Sequence, residues 1–521
     1  MGDLSFVIVG LVAIGIAAIC RSRGIMPALP LIATGALLSF VPGLSGISID
    51  PTVVLALLLA PLVFAAGLKS SYLDLKSASR PILSLSIGLV IVTTLTIGVV
   101  VWAVVPVISF PVGCCIGAVL ASTDAVAAST IGRTVGLPRR VLVVLEGESL
   151  VNDGTSLTAL RVAVAVVVAG SVTIAQVGGM LLQAVVFGVA VGAIVGWLVS
   201  AFLSRLRDPV VSNALLLLAP FLVYLVAEEL HGSGLLAVVV TGVWVAHTRT
   251  ASTRFETRLQ SDVVWNEVSF LLESFAFLVV GLETRLTIHA VDTQTRHRLY
   301  LLILLVVVVI AATRILFVGA AALMRRLSHQ RHQQFTWREN MVVGWSGARG
   351  PVSILAAFSL PVTLNDGSPF PNRQVVLVVT CGVVVVTLLQ GLTLKPLIRR
   401  LGLTADNDEV VAARAKRMAA DAAVSRLDAL LEEADMSGVD VPAQLVNRLR
   451  SRTKGRPPAI SDASRAKFTV TYSLWRREML NAERDELIRM RDRGELPDAV
   501  LRDLLSDIDR RMATIGRSAS A

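Results

Sequence analysis

Runs of about 20 apolar residues recur from Leu4 to about Ile398, each cut by glycine, proline or charge, and they stop beyond Leu401. At about 1.5 Å of rise per helical residue, one such run crosses a hydrocarbon core of about 30 Å. Cutting the chain at these breaks predicts thirteen helices, near residues 4–20, 25–43, 51–67, 81–105, 109–132, 141–169, 176–203, 211–229, 233–247, 263–282, 299–324, 340–361 and 374–398. The first run has neither a basic start nor a small-residue cleavage site, so it reads as a retained helix and not a signal peptide. Beyond the last run the period changes. Residues 405–438, 461–493 and 497–515 show the spacing of amphipathic helices, with TKGRPPAI as a linker between the first two. The pattern predicts an all-α polytopic membrane protein with a transmembrane domain over 1–400 and a helical cytosolic domain over 401–521, read as regulatory or dimer-supporting.

Charge gives that pattern a direction. Loops after odd-numbered segments carry 17 basic residues, from Arg21 to Arg338, and loops after even-numbered ones carry 4: Arg285, Arg296, Arg298 and Arg373. By the positive-inside rule the first set is cytoplasmic, so the N-terminus lies outside and the tail inside. Composition agrees, with 54% hydrophobic and 17% charged residues. The net charge of +10 is spread among short loops, which argues against a nucleic-acid partner. Cys20, Cys114, Cys115 and Cys381 fall inside apolar segments without metal-ligand spacing and read as packing residues.

Against this background the ionisable residues inside the runs are costly, and by default they mark an ion path. Counted from the cytoplasmic ends of their segments, Glu148 lies about 10 Å deep, Asp124 about 12 Å, Arg349 about 14 Å and Asp153 about 18 Å. Two of these segments also look broken. Gly344, Gly347, Gly350 and Pro351 crowd the twelfth, and Ser122, Thr123 and Asp124 interrupt the fifth. If thirteen helices are six, one and six, the fifth and twelfth are each fifth in their half, as in transporters built from two inverted repeats with crossed broken helices. Asp124 and Asp153 supply anionic oxygens there, and Thr123, Ser149 and Asn152 neutral ones. An all-oxygen set suits a hard cation, and without His or Cys it does not suit a transition metal.

STDAVAA, EGESLVNDGTSL, GWSGARGPVSILAA and QGLTLKPLIRRLGL, in that order, resemble the monovalent cation:proton antiporters, in particular the sodium/proton exchanger branch with an Asn-Asp pair. The resemblance covers about residues 1–400 and departs from the family at Ala125, where proline is common, and at Ala65 and Ala66, where many relatives carry an acid. It implies a homodimeric antiporter of the plasma membrane serving pH homeostasis, which exchanges one Na+ (or Li+) for one H+ by an elevator-like movement of a core domain against a dimer domain. It is not an enzyme and needs no cofactor beyond the transported ions. By resemblance Asp153 is the carboxylate that binds cation and proton. Asp124, Thr123 and Ser149 complete the Na+ contacts, Asn152 positions its neighbours, and Glu148 and Arg349 form a buried ion pair. With Glu148 so neutralised, Asp124 and Asp153 would share a partly dry cavity where both cannot ionise cheaply, so proton and cation exclude each other. The alternatives are potassium/proton exchange on the same scaffold and a non-transporting sensor that signals through the tail. Among the remaining charges, Glu146 reads as solvated near a helix end, Glu267 as interfacial, and Glu273 as pairing or lining the cytosolic funnel. Arg161 and Arg314 pair with unidentified acids or snorkel.

Overall fold

The computed structural model describes residues 2–41, 54–403, 408–437 and 465–519, with interruptions at 171–172, 207, 253–254, 290–292, 328–334 and 365 and scattered positions between 441 and 450. Linker residues 453–460 lie outside the described residues. Among the described residues the chain is helical, and its one β-bridge joins Thr363 to Pro369. It divides into two compact units. One comprises Met1–Leu206, Val211–Arg249 and Val263–Ala405, and the other Arg207–Val210, Thr250–Asp262 and Asp406–Ala521.

The larger unit begins with α1 (Gly2–Ser22), α2 (Ala28–Leu38) and a π-turn, Val54–Leu59, that runs into α3 (Ala60–Lys69). After α4 (Tyr72–Ser77), the short α5 (Ser79–Leu83) continues through a π-turn, Ser84–Leu89, into α6 (Val90–Val104). Next come α7 (Phe110–Ala121), α8 (Ala125–Val135), α9 (Arg139–Ala169), α10 (Ile174–Arg205), α11 (Pro209–Glu229), α12 (Gly234–Ser252), α13 (Phe255–His289) and α14 (Thr293–Leu327). The unit closes with α15 (Trp337–Trp345), α16 (Pro351–Phe358), α17 (Arg373–Leu392) and α18 (Leu394–Leu401). Among the described residues seven helical stretches are long and apolar enough to cross a bilayer: Ser79–Val104, Arg139–Ala169, Ala175–Arg205, Pro209–Glu229, Thr257–Leu282, Leu299–Arg325 and Arg373–Leu401. Val7–Ser22, Ala28–Leu38, Leu55–Lys69, Phe110–Ala121 and Gly234–Thr248 are shorter apolar helices.

The segments expected at 109–132 and 340–361 are each two half-helices. Helix α7 stops because Ser122 turns extended, at φ −63° and ψ 134°, and α8 begins only at Ala125. A capping box of Thr336 and Glu339 starts α15, which ends at Trp345. Residues Ser346–Gly350 are unwound, and Pro351 opens α16 at a position where a helix has no use for its missing N–H. Helix α7 lies so close to α6 that a methyl group on Gly117 would sit 2.5 Å from the Thr94 carbonyl oxygen. Such backbone approach is the usual basis of helix packing in lipid, where burial offers no hydrophobic gain.

The smaller unit includes α19 (Asp408–Met436), α20 (Arg465–Asp492) and α21 (Asp498–Ala519). Their shared apolar core contains Ala415, Ala419, Leu480, Leu487, Leu501 and Ile508. The first turns of α13 belong to this unit, where Arg258 donates to both carboxylate oxygens of Asp509 at 3.1 and 2.5 Å.

Candidate cation site at two broken helices

The two unwound segments cross and satisfy each other's freed backbone groups. The Asp124 amide donates to the Ala348 carbonyl at 2.8 Å, and the Ser353 hydroxyl donates to the Ser122 carbonyl at 3.4 Å. Non-helical backbone at membrane depth needs such partners, because hydrocarbon offers none. The Arg349 guanidinium belongs to the same crossing. Its Nε donates to the Leu120 carbonyl at 2.8 Å, its Nη1 donates to the Gly347 carbonyl, and its backbone amide donates to Thr387 Oγ1 at 3.1 Å.

Arg349 is therefore not the partner of Glu148, and the expected ion pair is corrected. Glu148, 1% exposed, is held in a two-pronged pair by Arg314 of α14, with Nη1 to Oε1 at 2.5 Å and Nη2 to Oε2 at 2.8 Å. The Nε of Arg314 donates to the Val343 carbonyl at 2.9 Å. The physical reason is occupancy. An Arg at a helix break is surrounded by orphaned carbonyls that take its donors, whereas an Arg on an intact helix finds its carbonyls already used and needs an acid. Arg314 could have been found from the sequence by the depth count applied to the other charges. It lies eleven residues inside Arg325, or about 16 Å, the layer occupied by Glu148 and Asp153.

A chain of hydrogen bonds extends from this pair along α9. Asn152 Nδ2 donates to Thr123 Oγ1 at 2.7 Å, Thr123 Oγ1 donates to Glu148 Oε1 at 3.3 Å, and Ser149 Oγ donates to the Thr123 carbonyl at 2.7 Å. The hydroxyl protons are thus committed and their oxygen lone pairs oriented. Asn152 Oδ1 is buried and accepts no hydrogen bond among the described residues, which leaves one neutral oxygen open to a ligand.

Asp153, 8% exposed, has a different environment. Its Oδ1 accepts from the Ser122 hydroxyl, and no Arg or Lys pairs with it among the described residues. Ser122 was legible only as part of a helix break, and nothing in its spacing marks it as a partner of Asp153. Asp124 is close enough for its charge to act on Asp153, and its carboxyl lies over Gly350, where an added methyl would meet Asp124 Oδ2 at 2.6 Å. Only glycine leaves Asp124 its place. No group of three or more His, Cys, Asp or Glu side chains is arranged to hold a metal ion among the described residues. The arrangement instead mixes carboxylate, hydroxyl and amide oxygens, a donor set suited to a weakly held hard cation.

The other charges resolve individually. Glu146 pairs with Arg133 at 2.8 Å in an exposed position, and Glu267 is exposed. Glu273 is half-buried on α13, within electrostatic reach of Asp124 and Lys69. Arg161 donates to Glu228 at 3.0 Å and to the Gly232 carbonyl at 2.7 Å.

Similarity to known proteins places the chain in a family and a fold. The sequence profile described as sodium/hydrogen exchanger, transmembrane, matches residues 7–400. The chain is 32% identical over 502 residues to an uncharacterized Na+/H+ exchanger of Mycobacterium tuberculosis, a match covering 93% of this chain and 90% of that one. It is 31% identical over 380 residues to a sodium, potassium, lithium and rubidium/H+ antiporter of Bacillus pumilus, covering 70% of this chain and 56% of that one. Its structure is similar to that of the sodium proton antiporter MjNhaP1 from Methanocaldococcus jannaschii, with a TM-score of 0.63, 16% identity, and coverage of 77% and 98%. At that identity the likeness is one of fold.

Proposed function

We propose, from the premise that this chain belongs to the sodium/hydrogen exchanger family of membrane transporters, that it exchanges Na+ or Li+ for H+ one for one at Asp153. The observation that carries the reading is the contrast inside α9, where Glu148 is neutralised by Arg314 and Asp153, among the described residues, accepts only a hydroxyl. A buried carboxylate without a fixed counter-charge must take up either a proton or a cation, and one excludes the other. Asp124, Thr123, Ser149 and Asn152 supply the remaining oxygens. An empty, charged site is costly to carry through the bilayer, so the core moves only when loaded, in an elevator-like step. Loop charge supports a plasma-membrane orientation with the tail in the cytoplasm.

Potassium exchange on the same residues is the second reading, favoured by the relative from Bacillus pumilus, whose name includes potassium and rubidium. Purified protein in liposomes with an imposed pH gradient separates the two. Na+ and Li+ are expected to release the gradient and K+ not, at a rate unaffected by membrane voltage. Apparent sodium affinity is expected to fall as pH falls. If Asp153→Asn still dissipates the gradient on sodium addition, the assignment of Asp153 fails. A wild-type response to K+ equal to that for Na+ selects the second reading.

A further inference from the structure

A cavity of about 800 Å³ opens between α14, α15 and α18, away from the carboxylates, and within the range of about 300–1,000 Å³ usual for small-molecule sites. Its walls include Ile315 and Gly319 of α14, Trp337, Gly344 and Trp345 of α15, and Arg400 of α18. The two glycines keep it hollow. A methyl on Gly319 would meet nothing within 4 Å, and one on Gly344 would touch only Ile315, at 3.7 Å.

One end of this groove is basic and aromatic. Arg400 is exposed and has no ion pair among the described residues. Arg338 stacks over the Trp337 ring at 5.7 Å, and a methyl on Gly402, the residue that caps α18, would lie 3.9 Å from its Nη1, which places a second guanidinium beside the end of α18. No Asp or Glu lines the cavity. Tryptophan and arginine side by side are the usual anchors at a membrane–water interface. Inward from that edge the lining is mostly apolar, interrupted by Asn340 and by Thr393, down to Trp345, the last residue before the unwound segment of the second broken helix.

We infer that this groove binds one anionic phospholipid, with its phosphate on Arg400 and Arg338 and an acyl chain lying over Gly319 and Gly344 against Trp345. A mostly apolar trough with Arg400 at its rim, Arg338 beside the end of the same helix and no carboxylate in its lining complements an acyl chain that carries a phosphate, and it discriminates against a lipid whose headgroup is net neutral. The chain would press on the end of α15, whose Trp345 Nε1 already donates to Thr393 Oγ1 at 2.8 Å.

Native mass spectrometry of the purified full-length chain, titrated with phosphatidylglycerol or phosphatidylcholine of matched acyl chains, tests this. Wild type is expected to retain one phosphatidylglycerol in preference to phosphatidylcholine. Arg400→Gln should cut that preference about tenfold, the size of one charge-assisted hydrogen bond. Gly319→Leu, which fills the trough without meeting backbone, should abolish retention of either lipid there. Equal retention of the two lipids by wild type, or undiminished phosphatidylglycerol on Gly319→Leu in protein that elutes as wild type, overturns the proposal.

Discussion

Glu148 and Asp153 stand five residues apart on α9, both buried, both acidic, and they are treated in opposite ways. Around Glu148 the chain supplies a two-pronged guanidinium and a threonine hydroxyl, so every oxygen has a donor. Around Asp153 it supplies one serine hydroxyl and a second carboxylate nearby. The first arrangement makes a fixed structural post, and the second leaves a buried carboxylate on which, in the proposed exchange, a positive charge would settle. Burial alone does not mark a functional carboxylate; what marks it is burial without a counter-charge.

Substitutions can break or sharpen that contrast. The largest effect is expected from Asp153→Asn, which should abolish sodium-driven proton movement in proteoliposomes and also remove the thermal stabilisation that sodium confers, while the melting temperature without sodium stays at or above wild type. Arg314→Ala should act in the reverse sense, costing about 3–5 kcal/mol of stability because it leaves Glu148 buried and charged. Thermal unfolding in detergent would report it, and the double variant Arg314→Leu with Glu148→Leu should regain most of the loss. Gly350→Ala is a smaller blow aimed at the site and not at the post. It displaces the Asp124 carboxyl, and since about 1 Å of misplacement at a positioned group costs up to about a hundredfold, a loss of about tenfold in apparent sodium affinity is expected with little change in melting temperature. Ser122→Ala should be mildest. Losing one hydroxyl to a carboxylate is worth about 1 kcal/mol, or about fivefold in sodium affinity measured over a concentration series. An Arg314→Ala protein as stable as wild type would dissolve the contrast from one side, and an active Asp153→Asn protein from the other.

Much of this was legible in the sequence for a simple reason. A membrane imposes length and polarity on each segment separately, so apolar runs, broken stretches and misplaced charges show up without knowledge of the fold. Residues 110–121 and 337–345 end where Ser122 and the glycines around Gly347 say they must. Partnerships were harder. Depth puts Arg314 and Arg349 in the same layer, and nothing in linear spacing says which faces Glu148. That choice depends on which arginine is adjacent to open backbone carbonyls, and the crossing of two helices brings Leu120 and Gly347 to Arg349. Ser122 was hidden for the same reason, since its bond joins residues 31 positions apart, from the break after α7 to Asp153 on α9. The tail was readable as helices from its period, but its pair between Arg258 and Asp509 spans 251 positions and has no local signature.

The crossing itself has an electrical consequence. Four half-helices end there, so two amino ends, with about half a positive charge each, meet two carboxyl ends with about half a negative charge each. The side chains follow those poles. Arg349 lies on the carbonyls that close α7 and follow α15, and the Asp124 carboxyl lies beside Gly350, at the amino end of α16. The crossing therefore closes its own circuit of partial charges before any ion arrives. In the proposed exchange a cation entering the site would meet a nearly balanced field, and Asp153 would be left to answer the charge it brings.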